Sequence, residues 1–77
     1  MYLEEITKKL KIINDLSGYE FYVLFGAADN IHQIQRFNKH GENDKIMDYE
    51  KIEDLLTEIE KIKNLAEKNI FNDWWFD

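Results

Sequence analysis

The chain has no cysteine, one serine and three glycines set far apart. Without cysteine there are no disulfides and no thiolate metal ligands. With Ser17 as the lone serine, in an expected helix-end turn, a nucleophilic triad has no parts to draw on. Gly18, Gly26 and Gly41 are isolated, so no glycine-rich loop is present to cradle a phosphate. Long apolar runs are missing as well. The longest is Phe21 to Phe25, against about 20 residues for a bilayer span. The opening MYLEEITKK has acids where a secretion signal needs bases. A soluble, cytoplasmic protein is therefore expected, and if a phage encodes it, the cytoplasm is the host's.

A basic patch is also lacking. The formal net charge is −6, and it is unevenly placed. Residues 1–41 hold five acids and five bases, and residues 61–77 hold three of each. Residues 42–60 hold eight acids against Lys45 and Lys51, which accounts for the whole −6. Nucleic acids and anionic membranes are bound through lysine- and arginine-rich surfaces, so neither is an expected ligand. A cationic partner surface suits this charge.

Seventy-seven residues make one domain, 1–77, with a core of limited size. Its main element is Asp48 to Asn69. Tyr49, Ile52, Leu55, Leu56, Ile59, Ile62, Leu65 and Ala66 step by threes and fours, the mark of one buried helical face. Asp48 suits the N-cap, and Glu50 puts negative charge in the first turn. Residues 2–16 predict a first helix with the stripe Leu3, Ile6, Leu10 and Ile13, closed by Gly18. Its acids precede its lysines by one turn, as Glu4–Lys8 and Glu5–Lys9.

Between the helices, Tyr19 to Phe25 predicts a strand, rich in aromatic and branched residues. Tyr19, Phe21, Val23 and Phe25 share one side. The other side, Glu20, Tyr22 and Leu24, is only partly polar, as expected of an inner strand. Residues 26–30 read as a turn. Residues 31–37, IHQIQRF, fit either a strand or a helix. The strand is preferred because a hairpin partner satisfies the edge groups of residues 19–25. Residues 38–44 read as a turn, and Lys45-Ile46-Met47 as a short third strand. The expectation is an α+β fold ordered α-β-β-β-α, an antiparallel sheet with two helices packed on one face.

Two features bear on function. Glu50, Asp54 and Glu58 repeat every four residues along the last helix, with Glu53 beside them and Asp44 and Asp48 before its start. A row of carboxylates at roughly one helical turn, about 6 Å, can stand in for a phosphate backbone. Five of the last eight residues are large and apolar, including Trp74, Trp75 and Phe76. Such a tail has two readings. It is an interface anchor, or it folds back over the open sheet face at Tyr22 and Leu24. His32 and His40 have no metal-site spacing around them, and rows of exposed acids form no catalytic cleft. No enzyme, cofactor or metal is expected.

In chain length, element order and the acidic run Glu42 to Glu60, the chain resembles the small acidic proteins that phages use against bacterial defence, anti-CRISPR inhibitors among them. That resemblance implies an inhibitor that presents a nucleic-acid-like (DNA-mimic) surface to a basic protein such as a CRISPR nuclease. The alternative is a non-mimic interaction module: a toxin-neutralising protein, an accessory subunit or a homodimeric structural domain. Expected contact residues are Asp44, Asp48, Glu50, Glu53, Asp54 and Glu58 for the first reading, and Trp74 and Trp75 for the second. Monomer and homodimer both remain open.

Overall fold

The computed structural model describes residues 2–77. Helix α1 spans Tyr2–Ser17, strands β1, β2 and β3 span Glu20–Ala28, Ile31–Phe37 and Asn43–Tyr49, helix α2 spans Ile52–Glu67, and a single 3-10 turn spans Trp74–Phe76. The strands form one antiparallel sheet in the order β1-β2-β3. Both helices pack on one face of it, so the α-β-β-β-α order and the two-layer arrangement are those the periodicities predict. The core lies between the layers. Ile6 and Ile13 of α1 and Leu55, Ile59, Ile62 and Ala66 of α2 meet Phe21 and Ile34 of the sheet.

The helix ends follow local chemistry. Gly18 closes α1 at a φ of +79°, a conformation that costs glycine little, and its N–H donates to the Asn14 carbonyl at 3.0 Å. Asn69, at φ +63°, closes α2. Its N–H donates to Ala66 O at 3.1 Å, and that of Ile70 to Leu65 O at 2.9 Å, the paired bonds of a Schellman ending.

Residues 31–37 are a strand, and it is the central one. β2 pairs Ile34 with Val23 on one side and with Met47 on the other. β1 is therefore an edge strand, not the inner strand its apolar character suggested. Its outer side is open, with Tyr22 at 47% and Leu24 at 45% exposure. β1 also runs into the expected turn at 26–30. It reaches Ala28 through an irregularity in which Phe25 to Ala27 oppose His32 alone. The turn itself is the two residues Asp29 and Asn30, at φ +44° and +64°. Both signs are positive, as a two-residue hairpin requires to match strand twist.

α2 starts at Ile52, three residues later than the apolar pattern alone suggests. Asp48 and Tyr49 belong to β3, where they pair with Gln33 and His32. Strand pairing holds their backbone extended, so Asp48 is not the N-cap. Lys51 occupies that position without a side-chain capping bond. Glu53 and Asp54 still place negative charge in the first turn. β3 is also longer than the expected 45–47 and takes in Asn43 and Asp44.

The sheet face away from the helices carries three cross-strand rows. They are Glu20–Phe37–Asn43, Tyr22–Gln35–Ile46 and Leu24–Gln33–Asp48. Tyr22, Leu24 and Ile46 stay exposed there, with Phe37 edge-on to the Tyr22 ring at 5.2 Å. The C-terminal segment goes to the other side.

Candidate partner-binding surfaces

The tail docks on the helix side of the sheet. Trp75 is 1% exposed, and its ring lies 5.8 Å from that of Phe21, centroid to centroid. Phe76 sits edge-on to Phe21 at 5.9 Å and to Phe71 at 5.1 Å. The indole N–H of Trp75 donates to Glu58 Oε2 at 2.7 Å. A buried tryptophan needs an acceptor for that proton, and α2 supplies it. Asp73 accepts the Trp75 backbone N–H at 3.2 Å and so caps the 3-10 turn. Trp75 is thus a core residue, and the tail does not cover Tyr22 and Leu24. Trp74, unlike its neighbours Trp75 and Phe76, faces outward, at 45% exposure, with the Lys45 ammonium 4.5 Å from its ring centroid. Lys45 also donates to the Trp74 carbonyl.

Arg36 anchors the tail from the sheet. Its side chain is 2% exposed. Nη1 donates to the carbonyls of Trp75 and Asp77 at 2.8 and 3.0 Å. Nε donates to Asp44 Oδ1 at 3.1 Å, while Nη2 holds Oδ2. The guanidinium carbon lies 4.1 Å from the Tyr19 ring centroid. The register shift between Arg36 and Phe37 lets Asp44 bulge out of the pairing and reach the guanidinium. The hydrogen bonds from Arg36 hold the Asp44 carboxyl below the usual carboxylate range. Arg36 is the only arginine among ten basic residues. Only a planar fork with five donors can serve a carboxylate and two carbonyls at once, which is the reason a lysine would not do.

The expected acid stripe is divided among different tasks. Asp44 neutralises Arg36. Glu58 serves Trp75 and lies 3.6 Å from Lys61. Glu60, beside the stripe, meets Lys9 of α1 at 2.6 Å, and that contact holds its carboxyl below the usual range. Lys9 therefore reaches across to α2 instead of back to Glu5. Asp48 points to the open sheet face and accepts from Gln33 Nε2 at 2.9 Å. Glu50 lies in the bend before α2, so it is not on the helical row with Asp54 and Glu58.

What remains is a group of four carboxylates at the junction of β3 and α2. Asp48, Glu50, Glu53 and Asp54 are all exposed, and none of them joins an ion pair among the described residues. With Lys51 as the only base between them, the segment carries −3. Glu53 and Asp54 lie in the first turn of α2, where the helix dipole favours negative charge without pairing it as a cation would. Burial, with the charge of Glu58 added, raises the Tyr49 hydroxyl well above its ordinary range, so the tyrosine at this junction stays neutral.

The described residues contain no group of three or more histidine, cysteine, aspartate or glutamate side chains able to hold a metal. His32 has a structural use. Its Nδ1 accepts the Gly26 N–H at 3.1 Å, and its ring stands 5.7 Å from Phe25. Ser17 accepts the Tyr19 N–H at 3.2 Å. No described helix is long and apolar enough to cross a membrane.

Sequence reasoning missed Arg36, although a lone arginine among lysines is a visible signal. It also missed the polar pair Gln33 and Gln35, whose alternation with Ile34 and Arg36 marks the open face once residues 31–37 are read as a strand. Comparison with protein-family models, with curated proteins and with solved structures finds no match, so the assignment rests on the chemistry of these surfaces.

Proposed function

We propose that the protein is a non-enzymatic, acidic inhibitor that binds the basic, nucleic-acid-binding surface of another protein, such as a CRISPR nuclease in the resemblance described above. Asp48, Glu50, Glu53 and Asp54 stand where phosphates would stand. One observation carries this reading. On either side of them Asp44 is held by Arg36 and Glu60 by Lys9, whereas these four, set within seven residues, meet no cation among the described residues. Glu58 drops out of the contact set because its carboxylate serves Trp75 and Lys61.

A cationic groove would be drawn to these charges over roughly a Debye length, about 8–10 Å in physiological salt. Partners should therefore be captured at low salt and released as salt rises. The test compares the wild-type chain with Glu50→Gln/Glu53→Gln/Asp54→Asn as bait in a bacterial lysate. Retention of a nucleic-acid-handling protein by the wild type only, reversed by salt, supports the reading. Equal capture by the neutralised variant sinks it.

A second reading is favoured by Trp74. A tail that leaves a tryptophan, Ile70 and Phe71 exposed has the composition of an interface anchor. A toxin-neutralising protein, an accessory subunit or a homodimer would use it, and association would then persist at high salt. Trp74→Ala is the variant that separates the two readings, since Trp75 is needed for the fold.

A further inference from the structure

The open sheet face differs from an ordinary solvated one in how its polar groups are arranged. Asn43 Nδ2 donates to Gln35 Oε1 at 3.2 Å, Gln35 Nε2 to Gln33 Oε1 at 2.9 Å, and Gln33 Nε2 to Asp48 Oδ1 at 2.9 Å. At the opposite corner the Tyr22 hydroxyl donates to Glu20 Oε2 at 2.7 Å. The side-chain polar groups of the three rows are thus largely paired with one another. Covering such a face strands few donors or acceptors, and that is the usual cost of burying polar side chains. Around the two chains lie Tyr22, Leu24, Phe37 and Ile46, three of them exposed.

Each chain of donors ends on a carboxylate, Asp48 or Glu20. Neither forms an ion pair among the described residues. The three rows contain no lysine or arginine. Lys39 borders the hollow beside Glu20 but does not pair with it. Glu20 and Asp48 occupy diagonal corners, two strands and four residues apart. Strand spacing near 4.8 Å and rise near 3.3 Å put them about 16–17 Å apart. Along an α-helix that span is about 11 residues, or three turns, which returns to the same helical face.

We infer that this face takes one amphipathic α-helix of a partner protein, its apolar stripe on Tyr22, Leu24 and Ile46, with two basic side chains about three turns apart meeting Glu20 and Asp48. A second copy of the chain is a poorer occupant. It brings no base to either carboxylate. The surface shares Asp48 with the proposed inhibitory contact but not Glu50, Glu53 or Asp54, so the variant lacking those three charges tells the two apart.

The test uses the full chain, labelled with nitrogen-15, and synthetic 18-residue helical peptides with leucine on one face. One peptide carries lysines 11 residues apart, one carries them four apart, and one has glutamates in their place. The expected result is amide shifts confined to the three rows, tightest binding by the first peptide and none by the third. Leu24→Lys/Ile46→Lys should weaken binding tenfold or more. Both positions are exposed, and an unchanged Trp75 indole signal confirms that the variant is folded. Glu20→Gln/Asp48→Asn should remove the preference for the 11-residue spacing. Glu50→Gln/Glu53→Gln/Asp54→Asn should bind within twofold of wild type. Shifts centred on residues 50–54, loss of binding in that last variant, or no binding at all overturns the inference. So does concentration-dependent self-association that Leu24→Lys/Ile46→Lys abolishes, which would assign the face to a second copy.

Discussion

Among the described residues Arg36 and Asp44 form the one ion pair in which the cation is fully buried, and that pair holds down the C-terminal segment. The guanidinium binds the Asp44 carboxylate on one edge and the carbonyls of Trp75 and Asp77 on the other. Removing Asp44 leaves a buried cation short of its partner. Removing Arg36 leaves two carbonyls and a carboxylate unserved.

Arg36→Ala should therefore destabilise the fold by about 3 kcal/mol or more, the usual cost of breaking a buried pair from one side. In a domain of this size that is most of the stability. Arg36→Lys should recover little, because an ammonium cannot serve the three acceptors in one plane. Urea denaturation followed by tryptophan fluorescence checks both variants. A midpoint for Arg36→Ala equal to wild type would rule out the anchoring role.

The same pair sets a dependence on pH. Asp44 has a folded pKa below its unfolded value, so it contributes stability that is fully present above the ordinary carboxylate range. That contribution is lost as pH falls through the depressed value, below about 4. Asp44→Asn should be less stable at neutral pH and lose less on acidification than wild type. Denaturation midpoints measured from pH 7 down to pH 2.5 show it as converging curves, and parallel curves would contradict it.

The two tail tryptophans should behave oppositely. Trp75→Phe removes the bond to Glu58 and some packing against Phe21, at a cost of about 1–3 kcal/mol. Trp74→Phe should change stability by no more than about 0.5 kcal/mol. Thermal melts decide this, with a change of about 4–8 °C expected per kcal/mol in a domain this small. Deleting residues 70–77 should unfold the protein, so loss of binding by that truncation would not identify a contact.

In the β1–β2 turn, Asn30→Gly should be neutral or stabilise by up to about 1 kcal/mol, since φ there is +64°. Asn30→Val should destabilise, because a branched side chain is strained in that region. A higher melting temperature for the valine variant would show that the positive φ is not required.

Neutralising Glu50, Glu53 and Asp54 should leave the fold intact at a modest cost. Glu53 and Asp54 lie in the first turn of α2, where each negative charge contributes about 0.3–1 kcal/mol. Far-ultraviolet circular dichroism of the triple variant should match wild type. Any loss of partner binding then reports on the surface itself.

Both helices, the strand character of residues 19–25 and the antiparallel order could be read from the residues because each depends on a local repeat. Ile6, Leu10 and Ile13 belong together whatever lies opposite them, since a period near 3.6 defines a buried face without naming its partner. The turn at Asp29-Asn30 and the stop at Gly18 are local in the same way. The rest depended on contacts between residues distant in the chain. Asp48 looked like a helix cap until pairing with Gln33 drew it into β3. Three adjacent aromatics at the terminus carry no period, so nothing local distinguishes Trp75, buried on Phe21, from Trp74, left in solvent. Charge counting treated eight acids alike, because formal charge says nothing about neighbours. The fold spent Asp44, Glu58 and Glu60 on Arg36, Trp75 and Lys9, and left Glu42, Asp48, Glu50, Glu53 and Asp54 without a cation among the described residues.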